Sequence, residues 1–269
     1  MHLLDASNLL KRYGDRTVVD GVSFRIDRSE IVGLLGRNGA GKTTSFRMVI
    51  GMIDADGGSV RFDGKDVTGL PMYRRARLGM GYLSQEPSVF SRLTVEQNLI
   101  AILEISSLPR RDRRRRCREL LEQFHLTHKA DQQARTCSGG ERRKLEIARA
   151  LVTNPRLVLL DEPFSGVDPL AVEDLQQEIR RLEDMGISVL ITDHNVQQTL
   201  RVCDRAYIIN EGRVLREGTP RDLINDPMVR QAYLGSMFRG DEFDDDRARL
   251  GADHRPGTPA QPAPAGAVG

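Results

Sequence analysis

The chain has 269 residues, with 40 Lys and Arg against 38 Asp and Glu (net charge +2), 39% hydrophobic and 5% aromatic residues, and no Trp. That length suffices for one large or two small domains around a mainly aliphatic core, and the near-balance of charge gives no global case for a nucleic-acid partner. No stretch approaches the ~18 consecutive apolar residues of a membrane span, Met1-His2-Leu3-Leu4-Asp5 is no signal peptide, and Cys117, Cys137 and Cys203 are too scattered for a disulfide framework or zinc site, so a cytosolic chain with reduced thiols is expected.

Short alternating runs up to about Gly64 predict an antiparallel sheet. They include Val22 to Ile26, and Val60-Arg61-Phe62 before the hairpin turn Asp63-Gly64. Tyr13 falls in a loop-like Arg12-Tyr13-Gly14, where the ring is either a half-buried surface residue or a stacking platform for a planar base.

Ile31-Val32-Gly33-Leu34-Leu35 reads as a strand buried on both faces. It feeds Gly36-Arg37-Asn38-Gly39-Ala40-Gly41-Lys42-Thr43-Thr44, after which Phe46, Val49 and Ile50 recur at helical spacing until Gly51. Strand, glycine loop and helix form the context that the phosphate-binding motif G-x-x-x-x-G-K-[ST] requires. Glycines at 36, 39 and 41 let the backbone turn and approach phosphate, and the helix start presents N–H groups. Lys42 would bridge β- and γ-phosphates, and the Thr43 hydroxyl would ligate Mg²⁺.

Gly79-Met80-Gly81-Tyr82-Leu83 is expected to be a strand, followed by Ser84-Gln85-Glu86-Pro87. Gln85 is either a loop residue or a ligand for Mg²⁺ or its water. Thr94-Val95-Glu96-Gln97 reads as a capping box opening a helix through Leu99, Ile102 and Leu103. Seven arginines and one aspartate lie between Arg110 and Arg118. They suit nucleic acid or anionic headgroups, but no aromatic residues interleave with them, and a solvated helix face with Arg115–Glu119 and Arg118–Glu122 pairs is the preferred reading.

Cys137-Ser138-Gly139-Gly140-Glu141 precedes a helix from Arg142 to Leu151. Ser138 and Glu141 make a capping box, yet glycine in a first turn costs about 1 kcal/mol against alanine, so Gly139 and Gly140 point to close approach by a ligand. The position of Cys137 before a helix start predicts a thiol of lowered pKa, open to alkylation. Leu157 to Leu160 is an apolar strand ending in Asp161 and Glu162, one carboxylate to hold Mg²⁺ and the other to orient the attacking water.

Asp168-Pro169 caps a helix through Leu175, Ile179 and Leu182 to Gly186. Ile187 to Ile191 is another strand, closing on Thr192-Asp193-His194-Asn195, where His194 is either a satisfied loop residue or a γ-phosphate contact. Thr219-Pro220 and Asp226-Pro227 read as caps of short helices. From Asp241 the chain turns acidic and then Pro-rich, and 239–269 is expected to be a disordered tail.

Taken in order, Tyr13, Gly36 to Thr44, Gln85, Ser138-Gly139-Gly140, Asp161-Glu162, Asp168 and His194 resemble the ATPase subunits of ABC transporters over residues 1–238. The resemblance implies an α/β P-loop ATPase with a RecA-like core, an antiparallel β subdomain and a helical signature subdomain at about 86–155. It implies ATP and Mg²⁺ as ligands, and contacts to nucleotide from Tyr13, Gly36, Arg37, Asn38, Gly39, Ala40, Gly41, Lys42, Thr43, Thr44, Gln85, Ser138, Gly139, Gly140, Glu141 and Asp168. Thr43, Gln85 and Asp161 would serve the metal, and Glu162 and His194 catalysis. Cys137 stands where the family usually has Leu, Glu141 where many members have Gln, and Arg37 where Pro is common.

Within the family, Gly79 to Leu83, Ser88-Val89-Phe90, Ser138 to Arg143, Gly166 to Pro169, Thr192 to Asn195 and Tyr233-Leu234-Gly235 are similar to the lipopolysaccharide-export subgroup. This implies a cytoplasmic homodimer, peripheral on the inner membrane under two integral membrane subunits contacted near Gln85 and Phe90. The transported lipid would not be bound directly, and no nucleic acid is expected. Branched-chain amino-acid import ATPases and soluble non-transport ABC ATPases are the alternatives. A P-loop kinase would leave Ser138-Gly139-Gly140 without a purpose.

Overall fold

The computed structural model describes residues 2–86, 88–106 and 108–234. The expected tail at 239–269, the boundary at 238, Pro87 and Gly235 lie outside the described residues. In chain order the strands are β1 (Leu4–Tyr13), β2 (Arg16–Ile26), β3 (Ile31–Gly36), β4 (Gly57–Phe62), β5 (Lys65–Asp66), β6 (Met80–Leu83), β7 (Leu157–Asp161), β8 (Ser188–Thr192), β9 (Arg205–Asn210) and β10 (Arg213–Gly218). The main helices are α1 (Lys42–Ile50), α2 (Met72–Arg77), α3 (Val95–Ile105), α4 (Arg110–Gln123), α5 (Gly139–Ala150), α6 (Pro169–Asp184), α7 (Val196–Val202) and α8 (Pro220–Asn225).

Two sheets form. β2-β1-β4-β5 is wholly antiparallel, as the alternating runs predict. β10-β9-β3-β8-β7-β6 is parallel except for its antiparallel edge strand β10. Every residue of β3, β7 and β8 is buried, which is why these strands read as unbroken apolar runs.

Their alternate side chains serve different cores. Val32, Leu34, Leu157, Leu159 and Leu190 join the antiparallel sheet and Phe46, Val49 and Ile50 of α1. Ile31, Val158, Leu160, Val189 and Ile191 turn the other way, onto α3–α6. α1 is thus clamped between the two sheets, and its first residue is held where β3 ends.

The helical region is tied to itself at its base. Thr94 and Gln97 form the expected capping box, Val95 N donates to Gln132 O at 3.0 Å, and Ala134 N donates to Leu93 O at 2.9 Å. On α4 the Arg115–Glu119 pair forms at 3.7 Å, whereas no Arg118–Glu122 ion pair exists among the described residues. Arg115 and Arg116 instead share Asp112 and Glu119 between them. Tyr13 closes β1 opposite Arg16 rather than lying in a loop, because Gly14, at φ 57°, and Asp15 suffice for the turn.

Candidate functional site

Parallel pairing puts the carboxyl ends of β3, β6, β7 and β8 along one edge: Leu34 lies opposite Thr192, Asp161 opposite Thr192, and Leu83 opposite Leu160. The chain order reverses between β9, β3 and β8, and such a switch point opens a crevice for a ligand. The glycine loop fills it.

Within that loop the glycines have unequal reasons. A Cβ on Gly36 would run into the carbonyl oxygen of Ile209, and one on Gly41, at φ 104°, would lie 2.7 Å from the carbonyl oxygen of Val18. The neighbouring backbone demands both. Around Gly39 nothing lies within 4 Å, so its φ of 80°, not a neighbour, calls for glycine, and the space above it stays open. Gly212 N donates to Ala40 O at 2.9 Å and Asp20 N to Gly212 O at 2.8 Å, stitching the loop to both sheets.

Gly41 begins α1 with no side-chain cap, so the first N–H groups of the helix face the loop. Ser or Thr would have occupied that donor set. Arg37, Asn38 and Gly39 are exposed, Ala40 is buried, and Thr43 and Thr44 are half-buried at the helix start. Lys42 is buried, and its Nζ donates to Gly36 O at 2.6 Å and Arg37 O at 3.1 Å. Burial pulls its pKa down, while the carboxylates of Glu162, Asp193 and Asp161 oppose that shift. An anion in the loop would restore the missing counter-charge.

Across the crevice β7 delivers Asp161, buried, its Oδ1 accepting from Thr192 Oγ1 at 2.7 Å. Burial raises its pKa. Glu162 does not continue the strand. It turns at φ 46° with its N–H on Thr192 O at 2.7 Å, so a left-handed residue, not strand alternation, separates the two carboxylates.

Glu162 Oε2 accepts from Gln85 Nε2 at 2.9 Å and lies 3.2 Å from His194 Nδ1. Three expected site residues, from the ends of three strands, therefore meet at one oxygen. Asp193, fully buried, ties the flanking loops together, accepting from Phe164 N at 3.0 Å and from Asn195 N at 2.7 Å.

α5 starts at Gly139, capped by Ser138 and Glu141 as a reciprocal box. Ser138 N and the neighbouring Lys129 hold the Glu141 carboxyl below its usual range. A Cβ at Gly139 would meet nothing, and one at Gly140 only Ala171 Cβ at 3.8 Å, so the fold itself does not require either glycine. Both line a cleft with Gln85, Glu162, Gly166 and Asp168, whereas none of residues 36–44 lines it. The first turn of α5 thus shares a cleft with the Glu162–Asp168 segment of its own chain. Asp168 caps α6, its Oδ1 accepting from Ala171 N at 3.1 Å.

The same helix braces the Gln85 loop. Arg143 Nη1 donates to Ser84 O at 3.2 Å and to buried Glu146 at 2.8 Å, Glu146 Oε1 accepts from Ser88 N at 2.9 Å, and Arg149 Nη1 donates to Ser88 O. Phe90, exposed, lies under the Arg149 guanidinium at 4.6 Å. A strand-exit loop carries no periodic signal for such partners. Tyr13 is exposed beside Lys11, 5.7 Å from its ring centroid. Cys137 departs from expectation: burial and Glu141 push its thiol pKa up, not down.

Comparisons with known proteins agree with this geometry. Residues 19–165 match the family model described as ABC transporter. The chain is 51% identical over 240 residues to the lipopolysaccharide export system ATP-binding protein LptB of Haemophilus influenzae and to that of Escherichia coli K12, covering 89% of this chain and all of each relative. It is 54% identical over 236 residues to a probable ABC transporter ATP-binding protein of Azorhizobium caulinodans, covering 88% of this chain and 84% of that protein. Among solved structures, the ADP conformation of MJ1267, an ATP-binding cassette of an ABC transporter, superposes with TM-score 0.79 at 30% identity, covering 88% of this chain and 100% of that one. This chain belongs to the ABC transporter family, as an ATP-binding subunit.

Proposed function

We propose that this chain is the ATP-hydrolysing motor of a lipopolysaccharide exporter, working as a homodimer on the cytoplasmic face of the inner membrane beneath two integral membrane subunits. The observation that supports the chemistry is the meeting of Gln85, Glu162 and His194 at one carboxylate oxygen, across the crevice from Lys42. The choice of cargo rests on the 51% identity to lipopolysaccharide export proteins along their whole length.

In this reading the N–H groups of 39–44 and Lys42 take the phosphates, with Lys42 exchanging its two loop carbonyls for phosphate oxygen. Tyr13 stacks on the base. Glu162 holds the attacking water and takes its proton, and His194 steadies the γ-phosphate.

Thr43, Gln85 and Asp161 suit Mg²⁺. Asp161 is a buried carboxylate at a desolvation cost that a dication would relieve, and no cluster of three or more His, Cys, Asp or Glu competes for the role among the described residues. When bound, the ion neutralises phosphate charge.

Ser138-Gly139-Gly140, whose glycines the fold itself does not require, completes the site of a second copy, with Glu141 and Asp168 beside it. Nucleotide between two copies then closes the dimer, and hydrolysis reopens it. Phe90 and the Gln85 loop, strutted by Arg143, Glu146 and Arg149, pass that motion to the membrane subunits.

Glu162→Gln protein should dimerise with ATP and lose about 10²–10⁴-fold in turnover; unchanged turnover removes Glu162 from its role. Gentle detergent extraction should bring down two integral membrane proteins and lipopolysaccharide. Recovery with a periplasmic amino-acid-binding protein instead would transfer the chain to an importer.

A further inference from the structure

The arginine run between Arg110 and Arg118 is not absorbed by the ATPase reading, and its surroundings are not those of a self-neutralised surface. Arg113 and Arg116 are turned inward, Arg113 Nε donating to Leu108 O at 2.7 Å and Arg116 Nη2 to Leu151 O at 3.1 Å. Arg110, Arg111, Arg114, Arg115 and Arg118 are exposed. At about 100° per residue they share an arc of roughly 140° on α4.

Of these five, Arg115 is engaged by Asp112 at 3.2 Å and Glu119 at 3.7 Å. Arg111, 92% exposed, reaches Asp112 only at 4.0 Å. Arg110, Arg114 and Arg118 have no carboxylate within 4.0 Å among the described residues. The run also occupies the first turns of its helix, where the macrodipole is positive and Pro109 supplies no side-chain cap. Asp112 and Glu119 thus answer only part of the charge, and among the described residues Arg110, Arg114 and Arg118 stand beside like charge without a carboxylate partner.

Ile105, the last residue of α3, is 85% exposed, and residues 106–109 separate it in sequence from the start of α4. An exposed apolar side chain a short connection away from a run of guanidinium groups is a combination that anionic bilayers bind. Single-stranded nucleic acid is less suited, because no aromatic ring stands in the run for a base to stack on.

We propose that the exposed arginine face of α4, with Ile105 at the end of α3, docks this subunit onto anionic phospholipid headgroups of the bilayer. The guanidinium groups pair with phosphates, Ile105 enters the headgroup layer, and the subunit is held flat against the membrane in addition to its grip on membrane partners. This surface works whichever molecule is transported, so it stands or falls separately from the cargo.

The test is co-sedimentation of the full chain, without membrane subunits, with phosphatidylcholine vesicles containing about one third phosphatidylglycerol, against pure phosphatidylcholine. Binding is expected only to the anionic vesicles and is lost in molar salt. Joint replacement R110Q, R111Q, R114Q and R118Q should weaken it on the order of 100-fold or more. Ile105→Ser should weaken it roughly tenfold.

A charge-matched control, R25Q, R61Q, K65Q and R221Q, should bind within about twofold of the native chain, and vesicle-free ATP turnover should be unchanged in every variant. Equal binding to both vesicle types, or undiminished binding by the α4 variant, overturns the proposal. So does tight binding of a single-stranded RNA oligonucleotide by a chain that ignores the vesicles, which would make the face a nucleic-acid surface.

Discussion

Asp193 accepts the backbone N–H of Phe164 at 3.0 Å, so the side chain before His194 holds the loop after Glu162. Its other oxygen accepts from Asn195 N at 2.7 Å. Burial raises the pKa of this carboxyl, and the two N–H donors oppose the rise by bonding to its charged form. One side chain therefore sets the spacing of two groups proposed for catalysis.

Asp193→Asn replaces one acceptor with an NH₂ that faces a backbone donor. The two loops should part, and misplacement by about 1 Å can cost on the order of 100-fold in rate. We expect kcat to fall at least about tenfold while KM for ATP stays within about twofold, since the glycine loop is untouched. Steady-state kinetics across ATP concentration separates the two, and a change confined to KM would place Asp193 in binding.

Asp161 carries a stability cost that its replacement should expose. Burial raises its folded-state pKa, so the fold favours the protonated carboxyl. The associated stability is complete below the ordinary carboxylate range and is lost as pH rises through the folded value. Above that value the nucleotide-free chain holds an ionised, desolvated Asp161 at a loss.

Asn in its place still accepts from Thr192 Oγ1 without the charge. Asp161→Asn should raise the melting temperature near pH 7 by about 2–4 °C, the shift that ~1 kcal/mol makes in a domain of this size, and abolish Mg²⁺-dependent nucleotide binding. The difference should shrink as pH falls through the raised folded-state value, where native Asp161 also becomes neutral. Thermal scans over that pH range read the result.

What the sequence announces and what it hides divide along a physical line. Strands β3, β7 and β8, the caps at Thr94, Ser138, Asp168, Thr219 and Asp226, and the glycine loop are local patterns, and each forms. β9 and β10 are fainter in the sequence: Ala206 to Ile209 is a four-residue apolar run, and Glu211-Gly212, at φ 49° and 76°, is a hairpin turn. Without β9 the reason for Gly36 is invisible, because the clash is with the carbonyl of Ile209. The Asp193 tie and the α5 brace on the Gln85 loop join residues 29 to 61 positions apart, so no window of sequence contains them. Cys137 fails for the same reason: a helix start is legible, but the burial that overrides it is tertiary.

That burial gives a prediction for all three thiols. Cys117 is pushed up to about 12 by burial, Cys203 also rises, and Cys137 rises despite Lys129 and Arg142 nearby. The thiolate is the reactive form, so none should react at neutral pH. Maleimide should leave the native chain unlabelled for the time in which it labels all three cysteines in guanidinium, with ATP turnover intact. Intact mass counts the adducts, and rapid modification of Cys137 in the folded chain would show that its loop opens.

Arg75 is 2% exposed and neutralises no carboxylate within 4.0 Å among the described residues. Its Nη1 donates to Met48 O at 2.7 Å and Val49 O at 2.5 Å, its Nε to Leu70 O at 2.7 Å and its Nη2 to Thr68 O at 2.8 Å. Met48 and Val49 end the helix that Lys42 begins, so the guanidinium caps the far end of the phosphate-loop helix and complements its dipole. Gly51 stays glycine partly for this, since a Cβ there would lie 2.7 Å from Arg75 Nε. Arg75→Met would fill the space but take the guanidinium donors from Val49 O, Thr68 O and Leu70 O, Met48 O keeping its bond from Gly51 N, which should cost about 1–3 kcal/mol in denaturant unfolding. Arg75→Lys keeps the charge but lacks the planar fork that reaches all four, and should fall between the two. In both variants KM for ATP should rise with the loss of stability, because the helix that presents Lys42 is fixed at this end; a destabilised protein with unaltered KM would show that the glycine loop is held by β9 and β2 alone.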